Sequence, residues 1–496
     1  MSLARQVAHN TLIQIIGKII STILGLFALA LITRYLGQVG FGAYTTITTF
    51  LAFFAVIADL GLTLVTVQMI SGAPNDEKKI LNNLFSLRLV TVLALMGLAP
   101  LIVIFLPYDQ NIKTGVLITA GFFVFPALNQ ILIGLFQKRL SMNRVALSEI
   151  ASRLVLILGI IATKWLNTGL TGILVATVVS GAASFLCHYL LALKFAFVKL
   201  EFDFSYWKKI INKSWPLSIT IVLNLIYLRA DTLILSLFKS QGEVGLYGAA
   251  YKIVDVLTTL PFMFAGLILP ILTTAWINKK PLHFQNILQK SFDFMLIIAL
   301  PLVVGSQFLA KPIMIFLAGQ DFAAADLILK MLVIAVAAIF LGTMFSHAVI
   351  ALDCQKKMIG FYIFTSLSAL LGYFLFIPYF SYIGAASITI YSEVLIAIFS
   401  AFCVFKVTRF LPRLKIFFRS LGACAIMALF IYIIPLPYQT SLLSLIAVLI
   451  GATITYFVAL FLLRGISPTD LKILYKKTEQ QITPLFPDNK TDLTSG

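Results

Sequence analysis

Arg229 and Asp231 stand two residues apart in the stretch YLRADTLILSLF, and Lys252 and Asp255 three apart in AAYKIVD. Both stretches lie inside apolar runs long enough to cross a bilayer. A charge at that depth costs several kcal/mol unless it faces water, a partner or a ligand. Counting about 1.5 Å per residue from the nearest helix end puts all four, and Glu393, in one layer roughly 10–14 Å below the outer surface. Residues two apart point to different sides of a helix, so Arg229 and Asp231 cannot pair, whereas Lys252 and Asp255 can. Arg229 therefore needs Asp255, another helix or a ligand. Two cations in one layer suit an anion, and a diphosphate is the obvious one.

The first half of the chain has its own charges. Lys18 and Asp59 lie about eight and ten residues from the inner ends of their segments, placed to pair across the first hairpin. Glu149 precedes Arg153 by four residues, the favourable order for a pair within one helix. The bland reading of these four is internal ties that fix helix register. Lys18 and Arg153 otherwise supply the first half's deep cations. Asp59, Asp231, Asp255 and Glu393 are candidates for ion coupling or charge pairing. Arg88, Asp293, Asp326, Lys330 and Asp353 sit near helix ends, where long side chains reach the interface.

These charges need helices to hold them. The chain of 496 residues is 60% hydrophobic and 11% charged, with a mean hydropathy of +1.02. Soluble domains carry about 25% charged residues, so this is an all-α integral membrane protein. At about 20 apolar residues per span there are fourteen: 10–33, 43–69, 84–106, 115–136, 146–164, 170–194, 214–238, 246–275, 290–310, 326–352, 358–377, 384–406, 418–435 and 441–463. With the N-terminus inside, one set of connections carries twenty-four Lys and Arg and the other five. Positive residues stay cytosolic, so both termini are expected there, in a multi-pass plasma (inner) membrane protein. The net charge of +18 is thereby mainly topology, and no nucleic-acid partner is expected. All four tryptophans fall at or just outside span ends, as an interfacial aromatic belt requires.

The chain also repeats. RYLGQVGFGAY (Arg34–Tyr44) and FKSQGEVGLYGAAY (Phe238–Tyr251) each bridge two apolar runs on the outer side, and Gly42 and Tyr44 match Gly245 and Tyr247 at an offset of 203 residues. The offset spans six helices, so each half begins inside, giving two lobes about an axis along the membrane normal with a site between them. The expected units are 1–200 (N-lobe), 201–410 (C-lobe), 411–464 (two additional helices) and a cytosolic tail, 465–496. Cys187, Cys354, Cys403 and Cys424 show no metal or redox spacing and are expected as free thiols. There is no GxxxxGK[ST], HExxH or GxSxG, so neither self-driven ATP use nor hydrolytic catalysis is expected, and no metal or organic cofactor.

The stretches Thr33–Leu62 and Arg229–Pro270 resemble the polysaccharide flippases, O-antigen type included, of the multidrug/oligosaccharidyl-lipid/polysaccharide exporter superfamily. That resemblance implies two six-helix lobes forming a V around a central cavity that opens alternately to either side. It implies a cationic cavity for the diphosphate of a polyprenyl-linked sugar, with Arg229 as the cavity cation best matched and Lys252 next. Helices thirteen and fourteen then help form a groove for the lipid. The expected protein is a monomeric flippase, not an enzyme, carrying a lipid-linked oligosaccharide between leaflets. Membrane lipids surround it, glycosyltransferases or a polymerase of the same pathway are its partners, and Na+ or H+ its coupling ion. The alternatives are a lipid II flippase, a cation-coupled multidrug exporter, which needs a net acidic or aromatic cavity, and an integral-membrane glycosyltransferase, for which the loops are too short.

Overall fold

The computed structural model describes residues 3–63, 66, 69–70, 76–434 and 442–465; the tail expected from 465 onward otherwise lies outside the described residues. Among them, twelve continuous helical segments are long and apolar enough to span a membrane. Two contain a reversal. Gly37, at φ 63° and ψ −174°, breaks Leu3–Asp59 into α1 (3–36) and α2 (38–59). Ser381, at φ 50° and ψ −133°, breaks Gln355–Thr408 into α11 (355–380) and α12 (382–408). Gly37 meets its positive φ without a Cβ to strain. Ser381 is held there by a 2.5 Å hydrogen bond to Glu243 Oε1. Tyr373 Oη and Thr389 Oγ1 lie 3.2 Å apart, so α12 runs back along α11. The remaining helices are α3 (Glu77–Ile104), α4 (Gln110–Lys138), α5 (Met142–Leu166), α6 (Gly169–Ala192), α7 (Phe204–Phe238), α8 (Gln241–Ile277), α9 (Pro281–Ala318), α10 (Asp326–Ala351), α13 (Lys415–Ile433) and α14 (Leu442–Leu462). Fourteen spans result, as hydropathy predicts.

Helices α1–α6 form one lobe and α7–α12 the other. Many large apolar side chains stay exposed, Leu158, Leu371 and Leu101 among them, as a lipid-facing surface requires. Trp165 and Trp215 join that surface, but Trp207 is buried in the N-lobe core beside Ile210 and Phe136. The expected interfacial role fails for Trp207 because the helix carrying it starts ten residues earlier than the apolar run shows. Helices α13 and α14 dock on α9, where Tyr456 Oη donates to the Ile297 carbonyl at 2.8 Å and Leu309 joins Met427 and Val448 in one apolar cluster.

The connection into the second lobe is an extended strap laid across α3. Asn82 Oδ1, Ser86 Oγ and Asn83 Oδ1 accept from the backbone N–H groups of Lys199, Glu201 and Asp203 at 2.9, 2.8 and 3.1 Å. Every second residue is bonded because an extended chain presents alternate groups to one side. Asp203 then caps α7 by accepting from the Tyr206 N–H at 3.0 Å. Lys79, 3.0 Å away, holds the Asp203 carboxyl below its ordinary range.

At the predicted outer end the two lobes touch through the two copies of the repeat. A Cβ on Gly42 would lie 1.6 Å from the Gln241 carbonyl oxygen, and one on Gly245 2.1 Å from the Gln38 carbonyl oxygen. Glycine is the residue that lets two backbones approach this closely. Around this contact Thr46 Oγ1 donates to Gln241 Oε1 at 2.8 Å, and Tyr108 Oη lies 2.7 Å from Ser236 Oγ. Arg34 donates to the carbonyls of Phe316 at 2.5 Å and Leu317 at 3.5 Å, and Gln38 to that of Asp321. Phe41 sets its edge against Phe322. These contacts form a seal between the lobes.

Candidate functional site

Beneath the seal lies a line of charges between the lobes. Arg229 of α7 reaches Asp255 of α8, Nη2 to Oδ1 at 2.5 Å, and its guanidinium stacks over Tyr251 at 4.6 Å from the ring centroid. Lys252, one turn before Asp255, stands 4.0 Å from the other carboxylate oxygen. One carboxylate thus serves two cations. The three side chains keep 38%, 32% and 45% of their surface exposed, although they sit deep in the bundle. Arg153 of α5 comes within electrostatic reach of Lys252 from the opposite lobe, its guanidinium lying over Gly25.

Further along the same interface Lys18 Nζ stands 3.8 Å from Glu149 Oε2. The pair lines a cavity of about 140 Å³ with Gln14, Met142, Thr259 and Met263, residues drawn from both lobes. On α8, Asp255, Thr259 and Met263 are spaced by four, so one face of that helix supplies the C-lobe wall. Among the described residues, the cations Lys18, Arg153, Arg229 and Lys252 outnumber the carboxylates Glu149 and Asp255 along this interface.

Several expected pairings are replaced. Asp59 pairs with Arg88 at 2.7 Å and not with Lys18. Arg88 does not reach for the interface; it is buried and also donates to the Ala127 carbonyl at 3.2 Å. Asp59 is the last residue of its helix and faces α3, where Arg88 is buried; beyond it Leu60 and Gly61 take positive φ, and Thr63 Oγ1 donates back to Asp59 at 2.5 Å. Glu149 takes Lys18 in place of Arg153, and Arg153 has no ion pair among the described residues. Asp326 and Lys330 pair with each other at 3.0 Å.

The Asp59–Arg88 tie is structural, and breaking a buried ion pair by removing one partner costs about 3–5 kcal/mol. Asp59→Asn is therefore expected to lower thermal stability in detergent strongly. Lys18→Gln, in a half-exposed pair, is expected to change it by less than about 1 kcal/mol. Equal shifts would contradict this assignment.

Asp231 and Glu393 occupy a different environment, inside the C-lobe. Asp231 is fully buried. Its Oδ2 accepts from Tyr247 Oη at 2.6 Å and Thr389 Oγ1 at 3.0 Å, and its Oδ1 accepts from the Thr232 N–H at 2.5 Å. Tyr373 Oη closes the cluster by donating to the Tyr227 carbonyl at 2.9 Å. Glu393 is also buried, and its Oε1 has no hydrogen-bond partner among the described residues. Neither acid forms an ion pair among the described residues, although Arg229 lies within electrostatic reach of Asp231. The deep layer therefore separates by helix face. Arg229, Lys252 and Asp255 face the cleft; Asp231 and Glu393 face the bundle.

Arg34, Gln38, Gly42 and Gly245 complete the interlobe machinery and were visible in the sequence only as a repeat. Nothing in the pattern of either copy alone says that the two meet.

Residues 7–276 match the family model described as "Polysaccharide biosynthesis protein". No individual curated protein matches the chain significantly. Among solved structures, the lipid II flippase MurJ in an inward closed conformation superimposes with a TM-score of 0.75 at 18% identity, covering 90% of this chain and 98% of that one. An inward-facing multidrug resistance MATE family transporter of the MOP superfamily gives 0.63 at 15% identity, covering 78% and 94%. A MOP superfamily transporter from Pyrococcus furiosus, described as having a binding pocket of reverse polarity, gives 0.59 at 14%, covering 82% and 96%. With more than half its length under one family model and two six-helix lobes meeting at a charged cleft, the chain belongs to the polysaccharide biosynthesis protein family and has the fold of the multidrug/oligosaccharidyl-lipid/polysaccharide exporter superfamily.

Proposed function

We propose that this protein is a flippase that moves a polyprenyl-diphosphate-linked oligosaccharide, the repeat unit of an O-antigen-type polysaccharide, from the cytosolic to the outer leaflet of the plasma membrane. It works by alternating access and changes no bond in its cargo. The observation that carries the reading is the half-exposed cation set of the cleft, Arg229 and Lys252 from one lobe and Arg153 from the other. Guanidinium groups fork onto phosphate oxygens, and a cleft that opens to one side at a time delivers a headgroup across the membrane while its lipid stays outside. Both termini are cytosolic in this reading, and glycosyltransferases and a polymerase supply and consume the cargo.

Membership in the polysaccharide family favours this cargo over lipid II, which carries the same diphosphate. The surplus of cations in the cleft disfavours a cationic-drug exporter. Asp231 and Glu393 are the coupling carboxylates. Buried acids that stand outside any ion pair in a membrane bundle are sites for taking up a proton or Na+.

The test is translocation in vesicles holding the purified protein, with lipid-linked oligosaccharide or lipid II as cargo, with and without an imposed proton or Na+ gradient. The oligosaccharide is expected to move about tenfold faster than lipid II, faster still with the gradient. Asp231→Asn is expected to lose only the gradient's effect. Equal or faster movement of lipid II would transfer the assignment to that cargo, and no movement of either would end the flippase reading.

A further inference from the structure

Asp255 lies between Arg229 and Lys252. We propose that this carboxylate is a built-in anion that occupies the Arg229–Lys252 site in the empty state, is displaced when the headgroup arrives, and returns to drive the headgroup off. The inference rests on the diphosphate reading above and adds a residue that sets affinity and release.

The geometry supports it in three ways. First, both cations share this one acid: Arg229 bonds Oδ1 and Lys252 stands 4.0 Å from Oδ2. A carboxylate between two cations presents two oxygens much as a phosphate does. Second, the pair is reachable. About a third of the Asp255 side chain and more of Arg229 and Lys252 remain exposed, unlike Asp59–Arg88 in the same protein, where the two side chains keep 12% and 5%. A tie that only fixed helix register has no need of an open face. Third, Arg229 is held independently of Asp255 by stacking on Tyr251, whose hydroxyl donates to the Leu228 carbonyl at 2.6 Å. The guanidinium therefore stays in place when the carboxylate leaves it.

The consequence is a division of labour. Without a resident anion, two cations at this depth would bind a diphosphate tightly and release it slowly. With Asp255 competing, binding weakens and departure quickens. Tight binding alone does not raise turnover.

The experiment measures binding of farnesyl diphosphate, with farnesol as control, to the purified full-length protein, and translocation of lipid-linked oligosaccharide in vesicles. Asp255→Asn is expected to bind farnesyl diphosphate about tenfold more tightly than wild type while translocating more slowly. Binding of farnesol should not change. Any loss of thermal stability in the variant is expected to be restored by farnesyl diphosphate to a greater degree than wild type is stabilised. Asp255→Ser repeats the test should the asparagine variant aggregate. If the neutral variants bind equally or more weakly while Arg229→Ala loses binding, Asp255 is a structural tie and this inference falls alone. If Arg229→Ala binds as well as wild type, the diphosphate reading itself falls.

Discussion

Gly42→Val is expected to abolish transport while leaving the protein folded and abundant in the membrane. The Gly42 Cβ position lies 1.6 Å from the Gln241 carbonyl oxygen and 3.0 Å from the Gly245 nitrogen. Both obstacles are backbone, which cannot rotate aside as a side chain can. The lobes must part to admit a valine, and the seal opens with them. Overpacking of this kind costs roughly 1–3 kcal/mol, and about 2.7 kcal/mol shifts a two-state equilibrium about a hundredfold. Under the alternating access proposed above, a protein that cannot close one side keeps its cargo site open to that side. Gly245→Val should behave alike, because its own Cβ meets the Gln38 carbonyl at 2.1 Å. Gly97→Val is the control, since nothing lies within 4 Å of that Cβ. A cysteine introduced at Thr45, buried beneath the seal, reports the state. It should react with an impermeant thiol reagent from outside in Gly42→Val and stay protected in the parent. Protection in both would show that the lobes close without this contact.

Arg229→Ala is expected to lower export about tenfold to a hundredfold at normal membrane abundance, the effect of losing one charge-assisted contact of roughly 1.5–3 kcal/mol. Arg229→Lys should recover part of this. The ammonium keeps the charge but not the planar fork, and its stacking on Tyr251 is weaker. Export by complementation, measured beside membrane abundance, separates the outcomes. Normal export from the alanine variant would make Arg229 a bystander. Equal loss of export and abundance in both variants would make it a tie to Asp255 and nothing more.

The helices and their number were legible because hydropathy is a local property, read a span at a time, but their ends were not: α7 begins at Phe204 and not at 214, and α9 spans Pro281–Ala318 and not 290–310. Even the two merged segments obey the hydropathy: Gly37 and Ser381 fall between the expected spans. The repeat was legible for a similar reason. The charge partners were not. Asp59 finds Arg88 in place of Lys18 because its face of the helix packs against α3, and nothing in the spacing of Lys18 and Asp59 encodes that packing. Glu149 and Arg153 have ideal spacing for each other, yet Lys18 from a neighbouring helix takes Glu149. Depth is set along the chain, but facing is set by packing. Asp231 and Asp255 share a predicted layer, and only the packed bundle sends one into the C-lobe and the other into the cleft.

The contact between the two repeat copies reaches back beyond the present chain. Gln38 and Gln241, and Gly42 and Gly245, are equivalent positions at the offset of 203. Gly42 meets Gln241, and Gly245 meets Gln38. Thr45 meets Gly248, its own counterpart. This reciprocity, i to j and j to i, defines an isologous two-fold interface. Because both halves enter the membrane from the same side, a single six-helix ancestor could have made the same contact with a second copy of itself. On this account the seal is older than the fusion that joined the halves. The cleft's unequal charges, with Asp255 and its two cations on one side and Arg153 on the other, are what the fusion made free to diverge.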